Sequence, residues 1–290
     1  MEPFGVKATL LATAIAVLLS ARAIKRKSLT NTGAMAAFGV GFGSVITGTR
    51  GFNLLVFYQI ATTATKYKKD IKATKDGTFT TSATRGPSQV LACSIIAVVL
   101  SLVHAVYCGT EQAIDFRTQP LASSLTCAIL AHHSTCLADS LASELGILST
   151  VTPILITQPW RKVPPGTNGG ITLWGTLWSA IGGFLIGFAY LVTDYLSGIL
   201  VPLHAVRLLL LGTVCGLVGS LIDSLLGATL QETFWDDDKK LVYHSDSDEK
   251  PSTAKLLTGI NLLSNEHVNL VSVALTTALG GLVIGPMVFQ

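Results

Sequence analysis

A series of apolar segments is the feature that most constrains the fold of this chain. A helix needs about 20 mostly apolar residues to cross the hydrocarbon core of a bilayer. Charged residues occupy only 13% of the 290 positions, and the mean hydropathy is +0.56. We therefore predict an all-α, polytopic helical bundle with about eight spans, which forms a single integral membrane domain over residues 1–290. The candidate spans are residues 5–24, 32–48, 51–65, 90–108, 119–139, 171–194, 204–228 and 267–288.

The second and third candidate spans are shorter than most of the others and rich in glycine and threonine. Only the tripeptide Thr49-Arg50-Gly51 joins them. We expect either a tight helical hairpin or two segments that each cross half of the membrane, so some spans of the bundle are short or broken.

The basic residues predict how the chain is oriented in the membrane. They cluster at residues 22–27 and in the loop at residues 65–89, and positively charged loops favour the cytosol. With the N-terminus outside, eight spans also place the motif loop at residues 140–170 and the flexible, charged loop at residues 232–265 in the cytosol. Because the basic residues form no continuous cationic surface and the net charge is only +3, the composition argues against nucleic acid as a partner.

The loop at residues 232–265 carries the acidic run Asp236-Asp237-Asp238. Three adjacent aspartates are one pattern of a metal site. Here, however, lysine and serine alternate with the acids of this loop, as in solvated and flexible segments. We leave this run out of the predicted site.

An acidic motif at residues 138–146, which we call the cassette, lies at the end of the fifth candidate span. On a helix, Asp139 and Ser143 share one face, whereas Glu144 is rotated by about 140° from Asp139. The two acids therefore need either a helix break or two different partners. Carboxylates in an apolar span are costly unless they are paired, which favours a cation or a metal ion. The alternative is a packing face of small residues beside a glutamate that reaches the membrane surface.

A glycine-rich run follows the cassette at residues 162–170. It lacks the spacing of a Walker A loop, but glycines near a helix start, which we place at about Ile171, offer backbone N–H groups and a positive dipole end to a phosphate. The alternative is an ordinary Pro/Gly turn. The residues of this run with phosphate-binding chemistry are Lys162, Gly166, Thr167, Gly169 and Gly170.

Four further polar residues lie near the ends of candidate spans. Arg85 and Gln89 are one helical turn apart. Either they bind a second phosphate, or Arg85 is a topological anchor at the end of the span. Asp223 lies in apolar sequence, so it needs a buried partner or belongs to the site. Asn269 is either a ligand-orienting amide or part of a helix cap. Asp223 also lies in a weak internal sequence repeat, since residues 221–225 resemble residues 137–141 around Asp139.

Several of these motifs together resemble the transmembrane protein 19 family, over residues 28–288. That family includes the phytyl-phosphate kinase of plant and cyanobacterial vitamin E synthesis. The motifs that carry the resemblance are Gln89, residues 138–146, Pro153 with residues 155–157, residues 162–170 and residues 219–228.

The resemblance implies a membrane lipid kinase that transfers a phosphoryl group from a nucleoside triphosphate to an isoprenyl monophosphate, phytyl or similar. A looser similarity to CTP-using polyprenol kinases suggests CTP as the donor, with other nucleoside triphosphates left open. In this hypothesis Asp139, Glu144 and Asp223 hold Mg²⁺, and Lys162 completes the catalytic set. The glycine turn with Thr167, Gln89 and Asn269 binds the phosphates and the nucleotide, and Arg85 meets the acceptor phosphate.

Two other functions fit the same residues. Intramembrane acids and broken helices are also typical of an ion-coupled transporter, and a non-catalytic membrane protein is the third reading. The sequence shows no Ser-rich and Arg-rich transit peptide. We therefore expect the endoplasmic reticulum or another endomembrane, with the chloroplast as the other compartment considered.

Overall fold

The computed structural model describes residues 1–76, 86–244 and 251–290, and it confirms a helical membrane bundle. Within these residues, five helices are long and apolar enough to cross a membrane. The last of them contains a π-helical turn at Gly280–Ile284, which divides it into α10 and α11. The long helices are α1 (Val6–Lys25), α7 (Pro120–Gly146), α8 (Leu173–Leu196), α9 (Pro202–Leu230) and α10 (Asn265–Leu279) with α11 (Gly285–Phe289).

Shorter helices occupy the remaining three candidate spans, so each of the eight predicted segments contains a helix. A 3-10 turn at Thr49–Gly51 joins α2 to α3, as expected for a tight hairpin. With 16 and 15 residues, these two helices reach only about 24 Å and 22 Å, less than the roughly 30 Å of a bilayer core. The shorter helices are α2 (Asn31–Ile46), α3 (Phe52–Lys66), α4 (Lys69–Ala73), α5 (Pro87–Ala92) and α6 (Ile95–Tyr107).

Helix α7 is the centre of the bundle and the most buried of the long helices. It packs against α8 and α9, and glycines allow the close approach of their backbones. A Cβ atom on Gly182 of α8 would lie 2.6 Å from the Cα atom of Ala138 on α7. A Cβ atom on Gly183 would lie 2.2 Å from the carbonyl oxygen of Gly212 on α9. No side chain larger than hydrogen fits at these two glycines without a shift of the helices.

Two small antiparallel sheets correct the prediction that residues 140–170 and 232–265 are loops. Residues 140–146 belong to α7. Strands lie in the rest of the first segment and in residues 232–265. The first sheet has the order β2-β1-β3 and the second the order β5-β4-β6. The strands are β1 (Ile154–Leu155), β2 (Gln158–Lys162), β3 (Gly170–Ile171), β4 (Thr233–Asp236), β5 (Leu241–His244) and β6 (Lys255–Thr258).

The acidic run has a structural role in the second sheet. The Asp236 side chain is almost fully buried, and its Oδ1 atom accepts hydrogen bonds from the backbone N–H groups of Asp238 at 2.8 Å and Lys239 at 3.1 Å. These bonds form the turn between β4 and β5, a common use of aspartate. Val242 and Tyr243 are buried beneath the same hairpin. Sheet pairing thus orders part of a segment that its charge alone marks as flexible.

A buried ion pair ties several segments together at the other end of the bundle. The Arg50 guanidinium binds the Asp194 carboxylate through Nε and Nη2, each at 2.9 Å, and its Nη1 donates to the Thr126 hydroxyl at 3.0 Å. The Glu111 carboxylate accepts the backbone N–H of Arg50 at 2.6 Å. The turn between α2 and α3 is thereby fixed to α7, to α8 and to the loop before α7. None of these residues was predicted as part of a site.

The glycine packing predicts a difference between two Gly→Ala substitutions. Gly183→Ala should lower the stability of the protein by about 1–3 kcal/mol, because the added methyl group collides with the α9 backbone. Gly39→Ala is the matched control, since a Cβ atom on Gly39 meets no atom within 4 Å; it should be neutral or slightly stabilising. Thermal unfolding in detergent measures both, and equal melting temperatures for the two variants would contradict the close packing.

Candidate functional site

One cavity of about 1040 Å³ gathers most of the predicted site. It opens at the end of the bundle that carries the two sheets, away from the Arg50–Asp194 pair. Arg85 lies outside the described residues; of the other predicted site residues, all except Lys162 contribute to its wall. These residues are Gln89, Asp139, Glu144, Gly166, Thr167, Gly169, Gly170, Asp223 and Asn269.

Asp139 of α7 and Asp223 of α9 form a pair of interacting carboxylates in this wall. The Ser272 hydroxyl donates a hydrogen bond to Asp223 Oδ2 at 2.7 Å, and Ser220 interacts with Asp139. Both acids are partly exposed to the cavity. Two ionised carboxylates that interact in a poorly solvated wall repel each other, so the arrangement favours a bound cation.

The packing of α7 on α9 explains why the two acids meet. A Cβ atom on Gly219 would lie 2.3 Å from the Thr135 side chain, so the two helices touch at this point. Asp139 and Asp223 each lie four residues further along the same helices, which is about one helical turn. Both helices run in the same direction, towards the cavity. This parallel arrangement brings together the two similar segments, residues 137–141 and 221–225.

Glu144 has a different partner from the acid pair. Its Oε2 atom lies 2.6 Å from Lys72 Nζ, and the Lys72 side chain is fully buried. The same ammonium group donates to the carbonyl oxygen of Ala64 at 2.7 Å, near the C-terminal end of α3. Helix α7 continues unbroken past Glu144, so the rotation of about 140° between the two acids directs Glu144 away from Asp139. Glu144 is therefore paired with Lys72 in the structure, and its place on one metal ion with Asp139 stays a prediction.

Sequence reasoning missed Lys72 because nothing in its local pattern distinguishes it. It is one of several lysines in the loop at residues 65–89, of which residues 77–85 lie outside the described part of the chain. Only the fold of α4 turns this lysine inward, against α3 and α7, while the neighbouring Lys69 remains exposed.

The glycine-rich run forms a turn inside the first sheet, close to the start of α8. Helix α8 begins at Leu173, two residues after the predicted position, and its cap Thr172 accepts the backbone N–H of Gly175 at 3.0 Å. Several amides of the turn already donate to protein oxygens: Thr167 to Pro164 at 3.2 Å and Asn168 to the Thr233 hydroxyl at 3.3 Å. Strand β3 lies between the turn and the helix, and phosphate binding by the turn stays a prediction.

Gly169 is required in this turn for two reasons. Its φ of +73° lies in the left-handed region, which favours glycine. A Cβ atom there would also lie 2.3 Å from the Ala228 Cβ atom and 2.6 Å from the carbonyl oxygen of Ser224 on α9. Since Ser224 follows Asp223, this contact places the glycine turn directly beside the acid pair.

The remaining predicted residues are divided between the cavity and its surroundings. Thr167 is buried in the wall, where its hydroxyl donates to the Pro164 carbonyl oxygen at 2.7 Å. Gln89 of α5 and Asn269 of α10 both line the cavity. Lys162 is exposed on β2 and lies outside the cavity wall, because strand side chains alternate and Val163 occupies the inward position. Arg85 lies outside the described residues.

Three polar residues at the cavity mouth were not predicted as site residues. Asn168 Nδ2 lies 3.1 Å from His244 Nδ1, and His244 Nε2 lies 3.5 Å from Asp76 Oδ2. All three contribute to the cavity wall. They come from the glycine turn, from β5 and from the segment after α4, so no local motif connects them.

The other side of the cavity is apolar. Helices α1, α2 and α3, all within predicted spans, supply this surface, which we call the apolar wall. Its residues include Leu19, Ala23, Ala37, Val40, Leu54 and Phe57. The cavity therefore joins an apolar surface to a carboxylate pair and a polar mouth. Within the described residues, no cluster of three or more His, Cys, Asp or Glu side chains is arranged to hold a metal ion.

The Lys72–Glu144 pair predicts a loss of stability when one partner is removed. Lys72→Ala should destabilise the protein by about 3 kcal/mol, because Glu144 then lacks its partner in a partly buried position. Lys69→Ala is the matched control, since Lys69 is an exposed lysine of the same short helix. Unfolding followed by melting temperature measures both variants; an unchanged Lys72→Ala protein would contradict the importance of the pair.

Comparison with known proteins places the chain in a family. Residues 14–277 match the family described as Integral membrane protein DUF92. "Protein PGR" of Arabidopsis thaliana is 36% identical over 278 residues, which cover 92% of this chain and 93% of that protein. The "Uncharacterized membrane protein MJ0933" of Methanocaldococcus jannaschii is 34% identical over 52% of this chain and 46% of its own length. No solved structure matches. The chain belongs to the DUF92 family of integral membrane proteins.

Proposed function

We propose that this protein is a membrane lipid kinase, which transfers a phosphoryl group from a nucleoside triphosphate to an isoprenyl monophosphate at the cytosolic face of an endomembrane. The observation that carries the proposal is the large cavity in which the Asp139–Asp223 pair lies between an apolar wall and a polar mouth. The resemblance of the same motifs to the transmembrane protein 19 family, with its phytyl-phosphate kinase, supplies the reaction.

The apolar wall fits the acceptor lipid. An isoprenyl tail enters a protein site by burying apolar surface, and each buried CH₂ group contributes about 0.8 kcal/mol. Helices α2 and α3 are too short to cross the bilayer by themselves, and their residues Val40 and Leu54 face the cavity. A tail bound along this wall remains at membrane depth, while its phosphate lies beside the acid pair.

Asp139 and Asp223 fit a magnesium ion. Mg²⁺ is commonly held by one or two carboxylates, with substrate phosphates and water as the other ligands. Two facing acids in a poorly solvated wall provide the protein's share of such a site and explain why a pair of like charges is retained there. When bound with the donor, the ion would supply positive charge to the phosphates.

The remaining residues position the reactants. Phosphoryl transfer depends chiefly on alignment and charge neutralisation. The acceptor needs no general base, since a phosphate monoester carries about −1.5 to −2 charge at neutral pH. Gln89 of α5 and Asn269 of α10 offer amide groups to phosphate oxygens. A hydrogen bond of 3.0 Å from Ser88 to Glu266 holds these two helices together. The ion pair of Glu144 with Lys72 fixes the cavity end of α7.

Replacement of either acid of the pair should abolish most of the activity. Purified protein is given phytyl or geranylgeranyl monophosphate with Mg²⁺ and each nucleoside triphosphate in turn. Asp139→Asn and Asp223→Asn should each lower kcat by about 100-fold or more, because several kcal/mol of charge stabilisation are lost. Asp237→Asn, in the exposed acidic run, is the matched control and should retain full activity. Full activity in Asp139→Asn would remove the metal-binding assignment.

A bulky residue in the apolar wall should discriminate between acceptors by tail length. Ala37→Phe should lower kcat/KM for geranylgeranyl monophosphate by about tenfold and affect the shorter geranyl monophosphate less, since a shorter tail occupies less of the wall. Gly39→Phe adds the same ring to α2 at a position that faces open space, and it should leave both acceptors unaffected. Equal effects of Ala37→Phe on the two lipids would place the tail elsewhere.

The buried polar cluster at the opposite end of the bundle favours a second candidate, an ion-coupled transporter. A small cavity of about 20 Å³ lies there between Arg50, Glu111 and Tyr190. A transporter would have to open this end, which requires breaking the Arg50–Asp194 ion pair. Liposome flux without nucleotide would support the transporter, and phosphoryl transfer without flux supports the kinase.

A further inference from the structure

The three polar residues at the cavity mouth form a built site of their own. Asp76, Asn168 and His244 belong to segments that are far apart in the sequence, yet their side chains meet at one point of the cavity wall. The backbone joins them too, because Asp76 forms a parallel β-bridge with Val242, two residues before His244. We call these three residues the mouth site.

The mouth site holds the His244 ring in a fixed orientation. Its Nδ1 atom faces the Asn168 amide at 3.1 Å and its Nε2 atom faces the Asp76 carboxylate at 3.5 Å. About a fifth of the side chain, 22%, remains exposed. Since both ring nitrogens face polar partners, the ring offers a ligand its carbon atoms, at the edges and the flat faces. Flat aromatic faces bind other flat rings by stacking.

The charge of the mouth site indicates which part of a ligand it binds. The Asp76 carboxylate disfavours a phosphate group at this point. The position of the mouth beside the acid pair follows from the glycine turn: Gly169, next to Asn168, packs on the carbonyl oxygen of Ser224, which follows Asp223. A ligand that extends from the acid pair to the mouth thus has its phosphates at one end and an uncharged flat ring at the other.

We propose that the mouth site binds the nucleoside of the phosphoryl donor, with the base stacked on His244 and the imidazole held in place by Asn168 and Asp76. This inference rests on the proposed function for the identity of the phosphate end. Stacking uses the π-face that every base has. The mouth site therefore binds purine and pyrimidine nucleotides alike, and base selectivity has to come from other residues.

Binding measurements with and without a nucleoside test this inference. The dissociation constants of CTP, ATP and inorganic tripolyphosphate, which lacks the nucleoside, are measured on the detergent-solubilised full chain with Mg²⁺. The wild type should bind both nucleotides more tightly than tripolyphosphate. His244→Ala should reduce this advantage by about tenfold and leave tripolyphosphate binding unchanged. His244→Phe keeps a flat ring and should retain most of the advantage.

Two further variants guard against indirect effects. His267→Ala removes an exposed histidine that lies outside the cavity wall, and it should bind all three ligands as the wild type does. Asn168→Ala removes one of the two partners of the His244 ring, so it should also weaken nucleotides but not tripolyphosphate. It tests the site independently if His244→Ala does not fold.

The outcomes separate the mouth site from the kinase. If His244→Ala weakens nucleotides and tripolyphosphate equally, or weakens neither, the mouth site is overturned, even when phosphoryl transfer is observed. A wild type that binds nucleotides no better than tripolyphosphate overturns it as well. If His244 dependence is found but no isoprenyl monophosphate is phosphorylated, the mouth site stands and the proposed kinase falls.

Discussion

The contact of α7 with α9 is the constraint on which the candidate site depends. Gly219 leaves no space between its backbone and Thr135, and both acids lie one helical turn beyond this contact. Two carboxylates that interact in a poorly solvated wall repel each other when both are ionised. Glycine contacts among α7, α8 and α9 hold these helices close together, since any larger residue there forces them apart. The packing of the core thus brings the two acids together at the cavity end.

The two ends of the bundle treat charge in opposite ways. At one end, Arg50 is bound by Asp194 and by Thr126, so the buried charges are compensated within the protein. At the cavity end, Asp139 and Asp223 have hydroxyl partners, and no salt bridge to either acid is found among the described residues. A compensated pair needs no further partner, whereas two ionised acids side by side favour a cation from outside. This contrast distinguishes a structural cluster from a site for chemistry.

Local sequence properties predicted where the helices lie and many of the residues that line the cavity, and tertiary contacts determined the rest. Hydropathy is a local property of the chain, and each of the eight candidate spans contains a helix, although only five helices of the described residues are long and apolar enough to cross a membrane. Helical spacing left either a helix break or two different partners for Asp139 and Glu144, and the structure shows an unbroken helix with different partners. It did not identify Lys72, which only the fold of α4 directs inward, and it did not place Lys162 outside the cavity, because the short strands of the first sheet were not predicted. His244 was missed because its partners Asn168 and Asp76 are distant from it in the sequence.

The arrangement of the cavity is also difficult to explain for a protein without a reaction to perform. A buried ion pair can often be replaced by apolar residues at little cost or with a gain in stability, so a passive membrane scaffold gains little from two acids beside an apolar wall. The proposed reaction between a soluble nucleotide and a membrane lipid would use both. Its two substrates come from different phases, and they can meet only where an apolar surface at membrane depth continues into a polar opening. Asp139 and Asp223 lie at that junction, between Val40 and Leu54 on one side and the mouth site on the other.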